Sequence, residues 1–145
     1  MQFPSRAAAV TLLVGLLAGC GTGGSNPAGD AEQQVRAVLE AYGAAQRGRD
    51  FSGACDLLTQ RARAQVVEGV AQGRSTAGIT CERAFQAVYG QAQLAEALDA
   101  ANAAVTVSTV DVLGDRATVA YRNPGGAHTA RLVREGGAWH IDTAG

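Results

Sequence analysis

The spacing of apolar side chains changes once along this chain, and that change limits the folds open to it. Up to about residue 103 apolar residues recur every three or four positions, the period of a helix face; beyond it they recur every second position, the period of a strand. Val35, Val38, Leu39, Tyr42 and Ala45 mark a first helix over about 31–47, with Asp30 and Gln33 as its capping box and Gly48 as its stop. Asp50 caps a second helix in which Phe51, Ala54, Cys55 and Leu58 share one side. Ala62, Val66 and Val70 mark a third segment, and Gly73 to Gly78 interrupt the pattern. Thr80 caps a further helix with Cys81, Ala84, Phe85 and Val88 facing one way, after which Leu94 and Leu98 add a turn or two.

Four short strands follow, over 105–113, 116–122, 127–135 and 138–143. Gly114-Asp115, Asn123-Pro124-Gly125-Gly126 and Gly136-Gly137 separate them, and turns this short join antiparallel neighbours. The fold class expected is therefore α+β, with N-terminal helices packed on a curved four-stranded antiparallel sheet. These turns also set a register, placing Val110 opposite Val119, Val112 opposite Ala117, Tyr121 opposite His128 and Leu132 opposite Ile141. One face then carries Val110, Val112, Val119, Tyr121, Ala130, Leu132, Trp139 and Ile141; the other carries Asp111, Arg116, Thr118, Thr129, Arg131, His140 and Asp142. Val105 and Val107 are out of phase with Val110 and Val112, which calls for a β-bulge near Ser108-Thr109.

At 145 residues the chain has room for one domain and its tails. Its 12 basic residues are all Arg and stand against 13 acidic ones, a net charge of -1, so it lacks the basic surface that grips nucleic acid. With 30 Ala, 19 Gly and an aromatic fraction of 5%, the core is expected to be built of small side chains with few large anchors.

Residues 7–19 form an uncharged run of 13 behind Arg6, too short to span a bilayer and suited to a secretory signal. The run ends Leu17-Ala18-Gly19-Cys20, which resembles the lipobox of bacterial lipoproteins. That resemblance implies that residues 1–19 are a removable signal peptide and that Cys20 carries lipid. Two acyl chains on one thioether would anchor the protein in the cell membrane, on its extracytoplasmic face. The plainer reading leaves Cys20 a spare thiol behind an ordinary signal peptide. Residues 20–29, rich in Gly and small polar residues, read as a flexible tether, and residues 30–145 as a single domain.

The order of helices before a bent antiparallel meander resembles the nuclear transport factor 2-like, or SnoaL-like, cone of the cystatin-like type. More closely it resembles small lipoproteins of actinobacterial type that carry this fold behind a lipobox, with a pair of Cys in the helices. Ala54-Cys55-Asp56-Leu57-Leu58, Cys81-Glu82-Arg83-Ala84-Phe85 and Trp139-His140-Ile141 carry the likeness. It implies a ligand-sized hollow inside the sheet. No confident strand falls between the helices, where larger members of that fold have one.

In an exported chain oxidation persists, so Cys55 and Cys81 are expected to form a disulfide tying the second helix to the fourth. Two Cys without clustered His fall short of a metal set, and neither metal nor other cofactor is expected. Tyr121 and His128 fall together on the core face near the Asn-Pro-Gly-Gly turn, with Trp139 completing a candidate pocket. Two readings of that pair stand open: proton transfer of the isomerase or cyclase kind, or a rim pair satisfied by each other and by water. Arg134 is expected over the Trp139 indole, Arg131 opposite Asp142 across the hairpin, and His140 on the wet face. No Gly-x-Ser-x-Gly, phosphate loop, His-Glu-x-x-His or paired carboxylates on the pocket face occur, so no catalytic residue is assigned. The expected function is a non-catalytic, membrane-anchored binding module for a small apolar ligand or an envelope protein. An enzyme using Tyr121 and His128, and a surface protein-interaction domain, are the alternatives.

Overall fold

The computed structural model describes residues 26–73 and 75–144; the expected leader and Cys20 lie outside them. Five helices, α1 (Pro27–Arg47), α2 (Phe51–Asp56), α3 (Gln60–Ala71), α4 (Cys81–Tyr89) and α5 (Ala92–Ala103), precede four strands. The strands, β1 (Thr106–Leu113), β2 (Arg116–Asn123), β3 (Gly126–Glu135) and β4 (Ala138–Ala144), form one antiparallel sheet in the order β1-β2-β3-β4. The fold class is α+β.

Side-chain oxygens begin α1 to α4 by accepting from backbone N–H groups that the first turn leaves unpaired. Asp50 accepts from Gly53 N at 2.9 Å, Thr59 from Ala62 N at 3.1 Å and Thr80 from Arg83 N at 3.2 Å. At α1 the expectation is corrected. Asn26, rather than Asp30, is the cap, accepting from Ala28 N at 3.3 Å, and Pro27 fills a first-turn position where its missing N–H costs nothing. Pro27, Ala28 and Gly29, read above as the end of the tether, therefore belong to the helix. α5 runs for 12 residues, longer than the turn or two expected, because a helix of weak pattern is held by its neighbours.

The sheet follows the expected register, with Val110 opposite Val119, Val112 opposite Ala117, Tyr121 opposite His128 and Leu132 opposite Ile141. Gly136 and Gly137, at φ of 59° and 87°, supply the positive dihedrals that a two-residue hairpin needs and that L side chains resist. The slip in β1 lies between Val107 and Thr109, leaving Ser108 as the extra residue. A second slip, absent from the expectation, lies between Arg131 and Leu132: Arg131 stands opposite Thr143, and Asp142 is bulged out of the ladder. The expected pairing of Arg131 with Asp142 is thus replaced. Asp142 accepts from Thr59 Oγ1 at 2.9 Å and pairs with Arg61 at the start of α3.

That second bulge sits where the helices meet the sheet. Thr59 N donates to Ile141 O at 2.9 Å and Ile141 N to Leu57 O at 2.8 Å, so the α2–α3 link makes a one-residue parallel bridge, Leu58 to Ile141. It covers the outer edge of β4, an edge that would otherwise present unpaired backbone groups. This bridge occupies the place where no strand was expected.

Val35, Ala54, Cys55, Leu58, Val119, Leu132, Trp139 and Ile141 form the fully buried centre between helices and sheet. Few large side chains reach it, and four rings from three helices supply the bulk. Phe51 stacks on Phe85 at 5.8 Å and lies against Tyr89 at 5.2 Å, while Tyr42 meets Phe85 edge-on at 6.4 Å. Cys55 and Cys81 form a disulfide between α2 and α4, Sγ to Sγ 2.01 Å, across 26 residues of sequence.

Candidate binding site

α1 presents two stripes. Val35, Val38, Leu39 and Tyr42 pack toward the core, while Arg36, Leu39, Glu40, Gly43 and Arg47, spaced by three and four residues, line a cavity of about 490 Å³. The opposite wall is the helix-facing side of the sheet: Val107, Tyr121, Ala130 and Ile141. Asn102 and Ala103 close the α5 end, where Val105 and Thr106 lead into β1. The volume lies in the range of ordinary small-molecule sites.

A buried polar cluster stands behind this cavity. Tyr89 Oη donates to Gln46 Oε1 at 2.9 Å, and Asn102 Nδ2 donates to the same oxygen at 2.7 Å. Tyr42 lies beside the same Gln46 side chain. Burial, reinforced by the neighbouring Tyr89 phenol, pushes the Tyr42 phenol up to about 12. Burial alone raises Tyr121, and burial followed by the nearby Asp99 charge raises Tyr89. All three phenols therefore stay protonated through the neutral range.

Outside that cluster the end of α5 is fastened by charge. Arg49, in a left-handed backbone conformation at φ 61°, reaches Asp99 with two hydrogen bonds of 2.8 and 2.7 Å and lies 4.3 Å over the Tyr89 ring. Those hydrogen bonds hold the Asp99 carboxyl below its ordinary range and raise the Arg49 guanidinium. Arg47 Nη1 donates to Asn102 O at 2.7 Å, on the cavity side of the same junction.

The candidate pocket residues separate. Tyr121 lines the cavity. His128 is stacked on it, ring centres 5.3 Å apart, yet lies outside the lining; its Nε2 stands 3.0 Å from Asn123 Oδ1, an oxygen that can only accept, so this nitrogen carries the proton. Trp139 also lies outside the lining, buried in the core beneath Arg134, whose guanidinium is 5.9 Å from the ring centre. Its indole Nε1–H has no hydrogen-bond partner among the described residues. His140 is not left to solvent alone: its Nδ1 donates to Asp56 O at 3.2 Å.

Sequence reasoning missed Arg36, Glu40, Arg47, Gln46 and Asn102. The first three were legible as a second stripe on the first helix. Gln46 was legible as the next member of the apolar stripe, four residues after Tyr42. Nothing in the local pattern marks Asn102, whose partners lie 56 and 13 residues away.

Among the described residues no group of three or more His, Cys, Asp or Glu could hold a metal, and no helix is long and apolar enough to cross a membrane. Compared with known proteins, the chain matches no family model, no curated protein and no solved structure.

Proposed function

We propose that this protein is a lipid-anchored, extracytoplasmic binding module with a nuclear transport factor 2-like cone, taking a small, largely apolar ligand between α1 and the sheet. The observation that carries the reading is the cavity of about 490 Å³ with Leu39, Val107, Tyr121, Ala130 and Ile141 on its walls. Helices that precede a bulged antiparallel meander support the cone, and the Leu17-Ala18-Gly19-Cys20 sequence supports the anchor. Catalysis by Tyr121 and His128 has less to rest on, because the imidazole stands outside the cavity and its Nε2 is engaged by an amide.

Two measurements test the proposal. Titrating the protein with an uncharged apolar probe such as dodecanol should show one saturable site, lost in Val107→Trp, which fills the cavity from the β1 side. Mass spectrometry of the chain recovered from bacterial membranes should find it starting at Cys20 and carrying diacylglycerol, with Cys20→Ser moving it to the soluble fraction. Unsaturable partition of dodecanol, or an unmodified Cys20, would remove the binding reading or the anchor respectively.

A further inference from the structure

The two walls of the cavity differ in chemistry. α1 contributes three charged side chains, Arg36, Glu40 and Arg47, whereas the sheet contributes Val107, Tyr121, Ala130 and Ile141. A wholly apolar ligand would leave the charged wall facing hydrocarbon, which is costly unless those charges remain hydrated.

Arg47 is held in place. Its Nη1 donates to Asn102 O at 2.7 Å, and the guanidinium passes over Gly43, where an added Cβ would stand 3.2 Å from Nη1. The absent side chain at Gly43 therefore leaves Arg47 room to lie along the cavity wall. Neither Arg47 nor Arg36 makes an ion pair among the described residues, whereas Asp99, at the same junction, is already taken by both terminal nitrogens of Arg49. Arg47 thus keeps further N–H donors for a ligand, in a fork that matches a carboxylate. On the sheet side the Tyr121 hydroxyl, a protonated donor, has no hydrogen-bond partner among the described residues. Glu40 limits the charge of the ligand: two Arg and one Glu leave this wall one positive charge in excess, which suits a single carboxylate and opposes a multiply charged head group.

We infer that the cavity takes an amphipathic monocarboxylate, its apolar body against the sheet and its carboxylate on Arg47; this rests on the binding reading above and specifies its ligand class. The guanidinium, already fixed by Asn102, loses little freedom when the carboxylate arrives, which favours a charge-assisted contact over a neutral one.

Calorimetric titration of the full chain with dodecanoate, dodecanol and dodecyltrimethylammonium separates head from body. Dodecanoate is expected to bind one per chain, about tenfold more tightly than dodecanol, the step that a charge-assisted hydrogen bond provides. Arg47→Gln should bring dodecanoate down to the level at which dodecanol binds the same variant. Equal binding of dodecanoate and dodecanol to the unaltered chain, or tightest binding of the cation, would overturn the carboxylate inference while the apolar site stands. Binding of none of the three would overturn both. Because the three probes are compared first on the unaltered chain, the result does not depend on Arg47→Gln folding normally. A carboxylate preference that survives in Arg47→Gln but not in Arg36→Gln would sink the assignment to Arg47.

Discussion

The Tyr89 hydroxyl donates to Gln46 Oε1 at 2.9 Å, joining α4 to α1 beneath the candidate cavity. Asn102 Nδ2 reaches the same oxygen at 2.7 Å, so one buried amide ties three helices together. Gln46 is 6% exposed, and a change there takes away the acceptor that Tyr89 and Asn102 share.

Gln46→Leu is accordingly expected to destabilise the fold by about 2 kcal/mol, the usual cost of stranding a buried polar group. Tyr89→Phe alone should cost less, because Asn102 still satisfies the Gln46 oxygen. Chemical denaturation of both single variants and the double variant checks this; strictly additive losses would show that the two residues do not share one network.

The disulfide between Cys55 and Cys81 closes a loop whose ends are 26 residues apart, in a core of small side chains. Chain-entropy reasoning gives about 3.5 kcal/mol for a loop of that length, so Cys55→Ala with Cys81→Ala should lower the denaturation midpoint by a corresponding amount. A double variant as stable as the parent would show that the loop is already ordered in the unfolded ensemble.

Asp142, bulged from β4, accepts from Thr59 and pairs with Arg61, and its side chain is 13% exposed. Asp142→Ala is expected to cost about 1–2 kcal/mol and to speed hydrogen exchange at Ile141 N and Thr59 N, the two amides that bridge β4 to the α2–α3 link. Arg131→Ala should change stability by less than about 0.5 kcal/mol, as surface substitutions do. An equal effect from Arg131 would return the salt bridge to the hairpin.

Tyr42 titrates at about 12 in the folded chain against an ordinary 10.0, and Tyr89 and Tyr121 are raised in the same direction. With a raised folded pKa the folded state binds more protons than the unfolded one once the unfolded phenol begins to ionise. Stability is thus fully present below pH 10 and falls as pH rises through about 12. Denaturation midpoints measured across that window should decline for the parent and decline less for Tyr42→Phe. A profile as steep in Tyr42→Phe as in the parent would assign the loss to other groups.

Local signals carried most of the fold because each acts within a few residues. The Thr80 cap, the Gly136-Gly137 turn and the alternation through Val110, Val112, Val119 and Leu132 are set by backbone dihedrals and by which side chain faces water. Once hairpins of two residues are fixed, the register of β1 to β3 follows from counting, and so does the stacking of Tyr121 on His128. The α+β class, the order of elements, the face of the sheet that is buried and the first slip in β1 therefore follow from these local patterns.

The remaining features arise from long-range packing. Which element would cover the edge of β4 depended on where α2 and α3 could come to lie, and the docking of Leu58 on Ile141 then drew Asp142 away from Arg131. Gln46, Arg47 and Asn102 became a junction only because α5 packs against the end of α1, and the cavity opened beside that junction rather than beneath His128 and Trp139. Short-range rules are blind to such contacts: the partners are separated by tens of residues, and the free energy that unites them comes from desolvation and hydrogen bonding when helix and sheet close on one another.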